Sequence, residues 1–321
     1  MKGLVLYGSR NLFTVAPLQS LTQSPLKENE NLECRIKGKV LKGMENYYNP
    51  LAPGDWVNIE RDPLHPGTAL ITGAEERRNM LTRFNQKGQK SQILAANIDL
   101  ALCMTSPVSP PFRPRFLDRL LVQAEISCIT PVILCNKWDL FKGDPFTEER
   151  FSDYRRIGYK VLNISAKTGF GINELHTILK GKTSVLLGQS GVGKTTLVNV
   201  LCPGLSMKTA ALNEKFDRGN HTTSLSILLK LPPGPGDSTE QNTFLIDTPG
   251  IRRMVPDGVK AEELILYMKE FAEYAGNCSF GLSCSHRSEP GCKIMEAVKS
   301  GIIHKDRYES YVRIGDELAA T

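Results

Sequence analysis

No apolar run in this chain is long enough to cross a bilayer. The longest, such as "LAANIDLALCM" at 94–104, fall well short of the ~20 residues that a spanning helix needs. A cleavable leader is not expected either. "MKGLVLYGSRNLF" offers a short apolar patch and no small-residue cleavage site. These absences exclude the membrane and secreted classes and set the expectation of a cytoplasmic protein with no membrane partner. No repeat of fixed period is visible, and neither sign of charge dominates. Forty Lys and Arg against 34 Asp and Glu leave a formal charge of +6. That surplus fits either a solvated basic surface or a polyanionic partner, and charge alone does not choose.

Without a secretion signal the eight cysteines are not a disulfide framework. Cys34, Cys103, Cys128, Cys135 and Cys202 are isolated, mostly in apolar runs, as expected of small buried hydrophobes. Cys278, Cys284 and Cys292 stand close together around His286 as C-x₅-C-x-H-x₅-C. Three thiolates and one imidazole make a closed four-ligand set, suited to a structural Zn²⁺ with no open position for catalysis.

A chain of 321 residues suggests two or three domains. Residues 1–88 carry short apolar stretches, "GLVLYG", "LFTVAPL", "LECRIKGKVL", "DWVNIE" and "TALITGAEE", broken by Gly, Pro and Asn. Strands at that spacing predict a five-stranded oligonucleotide-binding (OB-type) β-barrel. "RRNMLTRFNQKGQK", at 77–90, reads as an exposed basic connector or binding arm. From 89 to 255 strands alternate with helices, predicting an α/β domain with a parallel sheet covered on both faces. "ILAANIDLALCM" is expected as one strand, "RFLDRLLVQAEIS" as a helix and "TPVILCN" as a buried strand. "SPVSPPFRPR" reads as a surface loop. Residues 256–321 are expected to be helical around the Cys/His cluster, beginning with a helix over "AEELILYMKEFAEYA".

The chemistry lies in the middle domain. "GQSGVGKTT" fits the phosphate-binding pattern G-x-x-x-x-G-K-[ST], with Gly188, Gly193, Lys194 and Thr195 at its fixed positions. Its backbone N–H groups, through Gln189, Ser190, Gly191, Val192 and Thr196, would wrap phosphate oxygens at a helix N-terminus. Lys194 would reach the β/γ-phosphates and act in catalysis, while the Thr195 hydroxyl would ligate Mg²⁺. A chance match in a chain this long is roughly one in a hundred at average residue frequencies. The loop alone suits an ATPase or a kinase equally well, so the base-reading residues decide.

"NKWD" at 136–139 supplies them. A carboxylate at Asp139 accepts the N1–H and N2–H of guanine, a donor pair that adenine lacks. Asn136 and Lys137 would hold the site together and pack over the base. "SAK" at 165–167 again follows a strand, placing the Ala166 N–H toward guanine O6, with Ser165 before it and Lys167 beside the base. "DTPG" at 247–250 completes the set, with Asp247 in the Mg²⁺ shell and the Gly250 N–H sensing the γ-phosphate. The motifs stand in a reversed order, base-reading before phosphate-binding. Since a site is a spatial arrangement, circularly permuted connectivity still completes it. A separate small-molecule acceptor, as a kinase would need, has no evident site.

This order, flanked by a barrel and a Cys/His domain, resembles the bacterial ribosome-small-subunit-dependent GTPase A family. The resemblance extends to "GDWV" at 54–57, "ILAANID" at 93–99, "LDRLLVQAE" at 117–125 and "EPGC" at 289–292. It implies a GTPase that takes GTP to GDP and assists late maturation of the small ribosomal subunit, which stimulates it. It also implies contact with 16S rRNA and action as a monomer. Arg77, Arg78, Arg83, Lys87 and Lys90 would serve as one basic contact, and Lys293, Lys299, Lys305, Arg307 and Arg313 as a second. "RGNHTTS" at 218–224 is similar to the family's first switch. There Thr223, rather than Thr222, would contact Mg²⁺ and the γ-phosphate, and His221 takes the candidate catalytic position. Ile251 stands where many small GTPases carry a water-orienting Gln. Its presence keeps a second reading open, a nucleotide-switched binding factor with incidental hydrolysis. The family's first cysteine spacing is one residue shorter, so "SFGLS" resembles an insertion in that loop.

Overall fold

The computed structural model describes residues 1–9, 11–22, 30–38, 40–41, 47–85, 89–203, 225–234, 241–251 and 253–320. β1 (Lys2–Ser9), β2 (Leu12–Pro17), β3 (Leu32–Ile36), β4 (Trp56–Arg61) and β5 (Thr68–Ala74) close into a barrel in the order β1-β2-β3-β5-β4. Only β3 and β5 pair in parallel. Alternate side chains, among them Val5, Phe13, Val15, Val57, Ile59 and Ile71, fill the barrel, as a period of two requires. The opposite face of β1 and β2 presents Leu4, Leu6 and Ala16 to the core of the next domain. The turn at Gly54 is glycine by necessity. Its φ is +95°, and a Cβ there would lie 2.1 Å from the Ala96 carbonyl oxygen.

The basic stretch expected as a connector is instead a strand pair. β6 (Met80–Asn85) and β7 (Lys90–Ala96) form an antiparallel two-stranded sheet. The expected division at 88 thus falls between two paired strands. Arg77 is no surface cation: it is nearly buried, and its Nε and Nη2 donate to the two Asp55 carboxylate oxygens, each at 2.7 Å. That fork pairing gives the Asp of "GDWV" its partner. Arg83 is partly buried and donates to Gln92 Oε1. "ILAANIDLALCM" is divided between two sheets, ending β7 and supplying β8 (Leu100–Thr105). The break falls at Asn97, whose φ is +57°, a conformation that no continuous strand tolerates.

The α/β domain follows. α1 (Pro114–Ile126), β9 (Thr130–Cys135), α2 (Pro145–Arg156), β10 (Lys160–Asn163), α3 (Ile172–Leu179) and β11 (Thr183–Gly188) come after β8. α4 (Lys194–Leu201), β12 (Ile227–Lys230) and β13 (Phe244–Asp247) complete it. The sheet order is β10-β9-β8-β11-β13-β12, parallel except for β12 against β13. β8 is buried along its whole length, which puts it at the centre. Its Ala101 and Cys103 pack with α1 and α2. Its Leu100, Leu102 and Met104 pack on the other face with α3 and α4. Helix starts follow sequence chemistry: Pro145 opens α2, and the Asp144 carboxylate accepts from the Thr147 N–H at 2.8 Å.

In the C-terminal region the expected first helix is 3₁₀ over Ala261–Tyr267, then one α turn, α5 (Lys269–Ala272). α6 (Lys293–Lys299) and α7 (Lys305–Ala319) follow. Leu264, Met268, Phe271, Ile294, Ile303 and Ile314 form a separate core, into which α1 inserts Val122. Beside it lies a buried ionic network. Arg307 Nη1 donates to Asp118 Oδ1 at 2.7 Å, and its Nε and Nη2 donate to Glu270 at 2.5 and 3.0 Å. The Tyr154 hydroxyl and the Ser310 hydroxyl donate to the same Asp118 carboxylate at 2.6 and 2.5 Å. Arg307 is fully buried, so it leaves the set of expected RNA-contacting cations. Its stem and charge are spent locking α7 and α5 to α1 and α2.

Candidate functional site

The three nucleotide motifs of the parallel strands all stand at the C-terminal edge of the sheet, where open α/β sheets bind ligands. "NKWD" follows β9, "SAK" follows β10, and the phosphate loop joins β11 to α4. "DTPG" begins at the last residue of β13, adjacent to β11. Asn136 ties them together. Its Nδ2 donates to the Val192 carbonyl at 3.0 Å, and its Oδ1 accepts from the Ala166 N–H at 3.0 Å. One buried side chain therefore joins the phosphate loop to both base-reading loops. A Cβ on Gly193, whose φ is +100°, would lie 2.4 Å from Asn136 Nδ2. Glycine is required there both for the turn and for the approach.

Lys137 takes a left-handed conformation with φ of 62°. Its Nζ donates to the Gly191 and Ser109 carbonyls at 2.9 and 2.7 Å. Asp139 is exposed on the open side, and its Oδ1 accepts from the Ser165 hydroxyl at 2.6 Å. That bond fixes the carboxylate beside the place where Lys167, also exposed, flanks the loop. Ser165 is itself held by its N–H to the Phe170 carbonyl and by the Thr168 N–H to its hydroxyl.

On the phosphate side, the buried Lys194 folds its ammonium over the loop, donating to the Gly188 and Gln189 carbonyls at 2.8 and 3.1 Å. Burial lowers its pKa, and the nearby Asp247 carboxylate opposes that shift. Burial pushes the Asp247 carboxyl up to about 6, with Lys194 offsetting part of the rise. Asp247 Oδ1 is buried with no hydrogen-bond partner among the described residues. An orphaned carboxylate oxygen facing the phosphate loop is what a divalent cation would satisfy. Thr195 and Thr196 lie exposed at the start of α4, Thr195 with a hydroxyl able to share such a cation. The Ile251 N–H donates to the Gly188 carbonyl at 3.1 Å, and a Cβ on Gly250 would touch Ser190 at 3.3 Å. "DTPG" therefore lies directly against the phosphate loop, with Ser190 and Gly191 exposed above it. His221, Thr222 and Thr223 lie outside the described residues, as does Lys87.

The cysteine cluster is a second centre. The ligand atoms of Cys278, Cys284, His286 and Cys292 all lie within 4.8 Å of one another. His286 Nδ1 is 3.5 Å from Cys278 Sγ and 3.6 Å from Cys292 Sγ, and the two sulfurs are 3.9 Å apart. Zinc bond lengths in a tetrahedron require S···S and S···N edges of about 3.8 and 3.6 Å, so the donors fit Zn²⁺. The cage rests on backbone chemistry that spacing alone did not reveal. Glu289 accepts from the Ser285, Arg287 and Ser288 N–H groups at 2.7, 3.0 and 3.1 Å. Bonds from Ser285 first, then from neighbouring backbone, hold its carboxyl well below the usual range. Gly291 has φ of +69°, and a Cβ there would meet Ser279 Oγ at 2.1 Å. The Glu and Gly of "EPGC" thus shape the ligand loop, and the inserted-looking "SFGLS" leaves Phe280 and Leu282 on the surface.

The family model described as RsgA GTPase matches residues 74–255. A protein of Bacteroides fragilis named "Small ribosomal subunit biogenesis GTPase RsgA" is 36% identical over 97% of this chain and 95% of its own length. A Chlorobaculum tepidum protein of the same name is 39% identical over 84% of this chain and 86% of its own. Among solved structures, YjeQ from Thermotoga maritima is 31% identical, with a TM-score of 0.71, covering 100% of this chain and 99% of that one. YloQ, described as a circularly permuted GTPase, is 25% identical with a TM-score of 0.67, covering 99% and 95%.

Proposed function

Since the chain belongs to the RsgA GTPase family, we propose that it hydrolyses GTP to GDP and phosphate as a biogenesis factor of the small ribosomal subunit. The observation that carries the reading is the Asn136 bridge, which makes one pocket of the phosphate loop and the guanine loops. Asn136, Lys137, Asp139 and Ser165–Lys167 would read the base. Residues 188–196 would hold the phosphates, with Lys194 on the transferred group. Mg²⁺ accompanies GTP in GTPases of this kind; here Thr195, Thr223 and Asp247 would hold it, supplying charge to offset that of the phosphates. Gly250 would sense the γ-phosphate, and His221 would orient the attacking water.

The test is phosphate release from GTP with and without purified small subunits, with ATP and large subunits as controls. Small subunits should accelerate GTP hydrolysis by at least tenfold, and the controls should do nothing. A rate that they leave unchanged would instead favour the second reading, a switch with incidental hydrolysis. Ile251 is the observation behind that alternative, since an alkyl side chain cannot orient water. Replacing His221 with Ala should remove the stimulated turnover and spare nucleotide affinity; normal stimulation would take His221 out of the mechanism.

The partner surface would include 16S rRNA, met by the barrel and by the exposed cations Arg78, Lys90, Lys293, Lys299, Lys305 and Arg313. The protein would act as a cytoplasmic monomer, in keeping with the finding that no described helix is long and apolar enough to cross a membrane. One structural Zn²⁺ would be held by Cys278, Cys284, His286 and Cys292, closing a domain whose own core is small. Purified protein should carry about one zinc per chain by elemental analysis. Stripping it with a strong chelator should expose the 256–321 region to protease while GTP binding persists. A full-length chain that stays protease-resistant without zinc would refute the structural role.

A further inference from the structure

A cleft separate from the nucleotide pocket opens where α1, α2 and α7 meet the segment that follows "DTPG". It encloses about 600 Å³, the scale of a small-ligand site. Phe112, Phe116 and Phe146 line it, the ring centroids of Phe112 and Phe146 lying 6.4 Å apart. Phe146 is 46% exposed, so one face of its ring is open to a ligand. Five arginines line the cleft, and Asp306 is its only carboxylate among the described residues. Three of the arginines are already engaged, Arg253 Nη2 lying 3.8 Å from Glu317 Oε1. Arg119 makes a fork pair with Glu317 at 2.6 and 2.8 Å, and Arg115 pairs with Glu309. Arg113 and Arg313 are exposed and have no ion-pair partner among the described residues. Even with Glu309 and Glu317 counted, cations are in excess.

We propose that this cleft takes a single unpaired nucleotide of RNA, the base on the Phe146 face and its phosphates on Arg113 and Arg313. The proposal rests on the reading of the protein as a small-subunit factor, and names a contact that the barrel does not supply. Three features select this occupant. Exposed aromatic faces stack unpaired bases without regard to sequence. Planar guanidinium forks match phosphate oxygens, whereas a merely solvated surface needs no such clustering. The enclosed space fits one nucleotide, while an amphipathic peptide helix, ~10 Å across, needs a longer groove.

Two short segments of the chain run from the nucleotide site to the cleft. Arg253 lies three residues beyond Gly250, and Phe112 three beyond Ser109, whose carbonyl accepts from Lys137 Nζ. Met254, fully buried, pins the first connection, and its carbonyl lies 3.5 Å from Arg119 Nη1. An RNA nucleotide in the cleft and the γ-phosphate in the pocket therefore act on the same short segment. Each should favour the binding of the other by an equal factor.

The experiment places p-azidophenylalanine at Phe146 in the full chain, and at the barrel residue Leu64, 80% exposed, as a second probe. Complexes with small subunits and a non-hydrolysable GTP analogue are isolated by sedimentation and irradiated. Probe 146 is expected to attach to ribosomal RNA. In the same assay, Arg113→Ala with Arg313→Ala should weaken subunit binding about tenfold or more. Attachment of probe 146 to ribosomal protein alone would assign the cleft to a peptide and overturn the proposal. So would no attachment from an intact, sedimenting complex, while leaving the proposed function in place. Failure of the unsubstituted protein to sediment with subunits removes both readings.

Discussion

Asp139→Asn is expected to lower GTP affinity by about 10³-fold or more and to create affinity for xanthosine triphosphate. A site built to hydrogen-bond a particular polar edge rejects the analogue lacking it by ~10⁴–10⁵, because buried polar groups are left unpaired. The Asp139 carboxylate would accept two donors from guanine. The amide offers an NH₂ where guanine also presents a donor, whereas xanthine carries a carbonyl there. The substitution is mild for the fold, because the amide oxygen still accepts the bond from the Ser165 hydroxyl that Asp139 Oδ1 receives at 2.6 Å. Titration of fluorescent GTP, ATP and xanthosine triphosphate gives the answer. Gain of the xanthine nucleotide separates altered recognition from misfolding. An unchanged GTP affinity would place base recognition elsewhere.

The second large effect is on stability. Asp118→Ala should destabilise the protein by about 3–5 kcal/mol, the usual cost of removing one partner from a buried ion pair. At roughly 2–4 °C per kcal/mol for domains of this size, the unfolding midpoint should fall by about 6–20 °C. The reason is what remains: Arg307 buried with only Glu270, and the Tyr154 and Ser310 hydroxyls without their acceptor. The C-terminal region should then detach first, since the network is the fully buried polar link from α7 and α5 to α1. Calorimetry combined with limited proteolysis near 256–260 reports both effects. A midpoint within a degree of the parent protein would show that the network contributes little.

Some of the architecture was legible because its cause is local. The five barrel strands were legible because each is a short apolar stretch bounded by turn-forming residues. The nucleotide motifs were legible because phosphate binding needs glycines and a lysine at fixed spacing, and guanine needs a carboxylate. The cysteine spacing named four candidate ligands, which the fold gathers together, though not the scaffold of Glu289 and Gly291 around them. The readings that failed were those that depend on distant partners. Arg77 looks like any surface cation until Asp55, 22 residues away in sequence, is placed against it. "AEELILYMKEFAEYA" has helix-forming residues throughout, but its packing against α7 and α1 favours a tighter 3₁₀ path over Ala261–Tyr267.

Arg307 makes the same point at greater range. Within "HKDRYESYVRIGDELAA" it sits among charged residues on an amphipathic helix, and local composition assigns it to solvent. Only the fold brings Asp118, 189 positions earlier, into contact and turns the cation into a bolt between two domains. The arginines of the α1–α7 cleft are likewise scattered over 113–313 and show no pattern in sequence. Sequence by itself determined the short patterns that one loop can hold: the phosphate-loop spacing, the Asn-Lys-Trp-Asp run, the Cys/His spacing, and the permuted order in which they come. Tertiary structure decided which charges are buried, which are free to meet a partner, and how the nucleotide pocket connects to the C-terminal region. The physical reason is that loop geometry is set by neighbours a few bonds away, whereas burial and ion pairing depend on which surfaces the whole chain brings together.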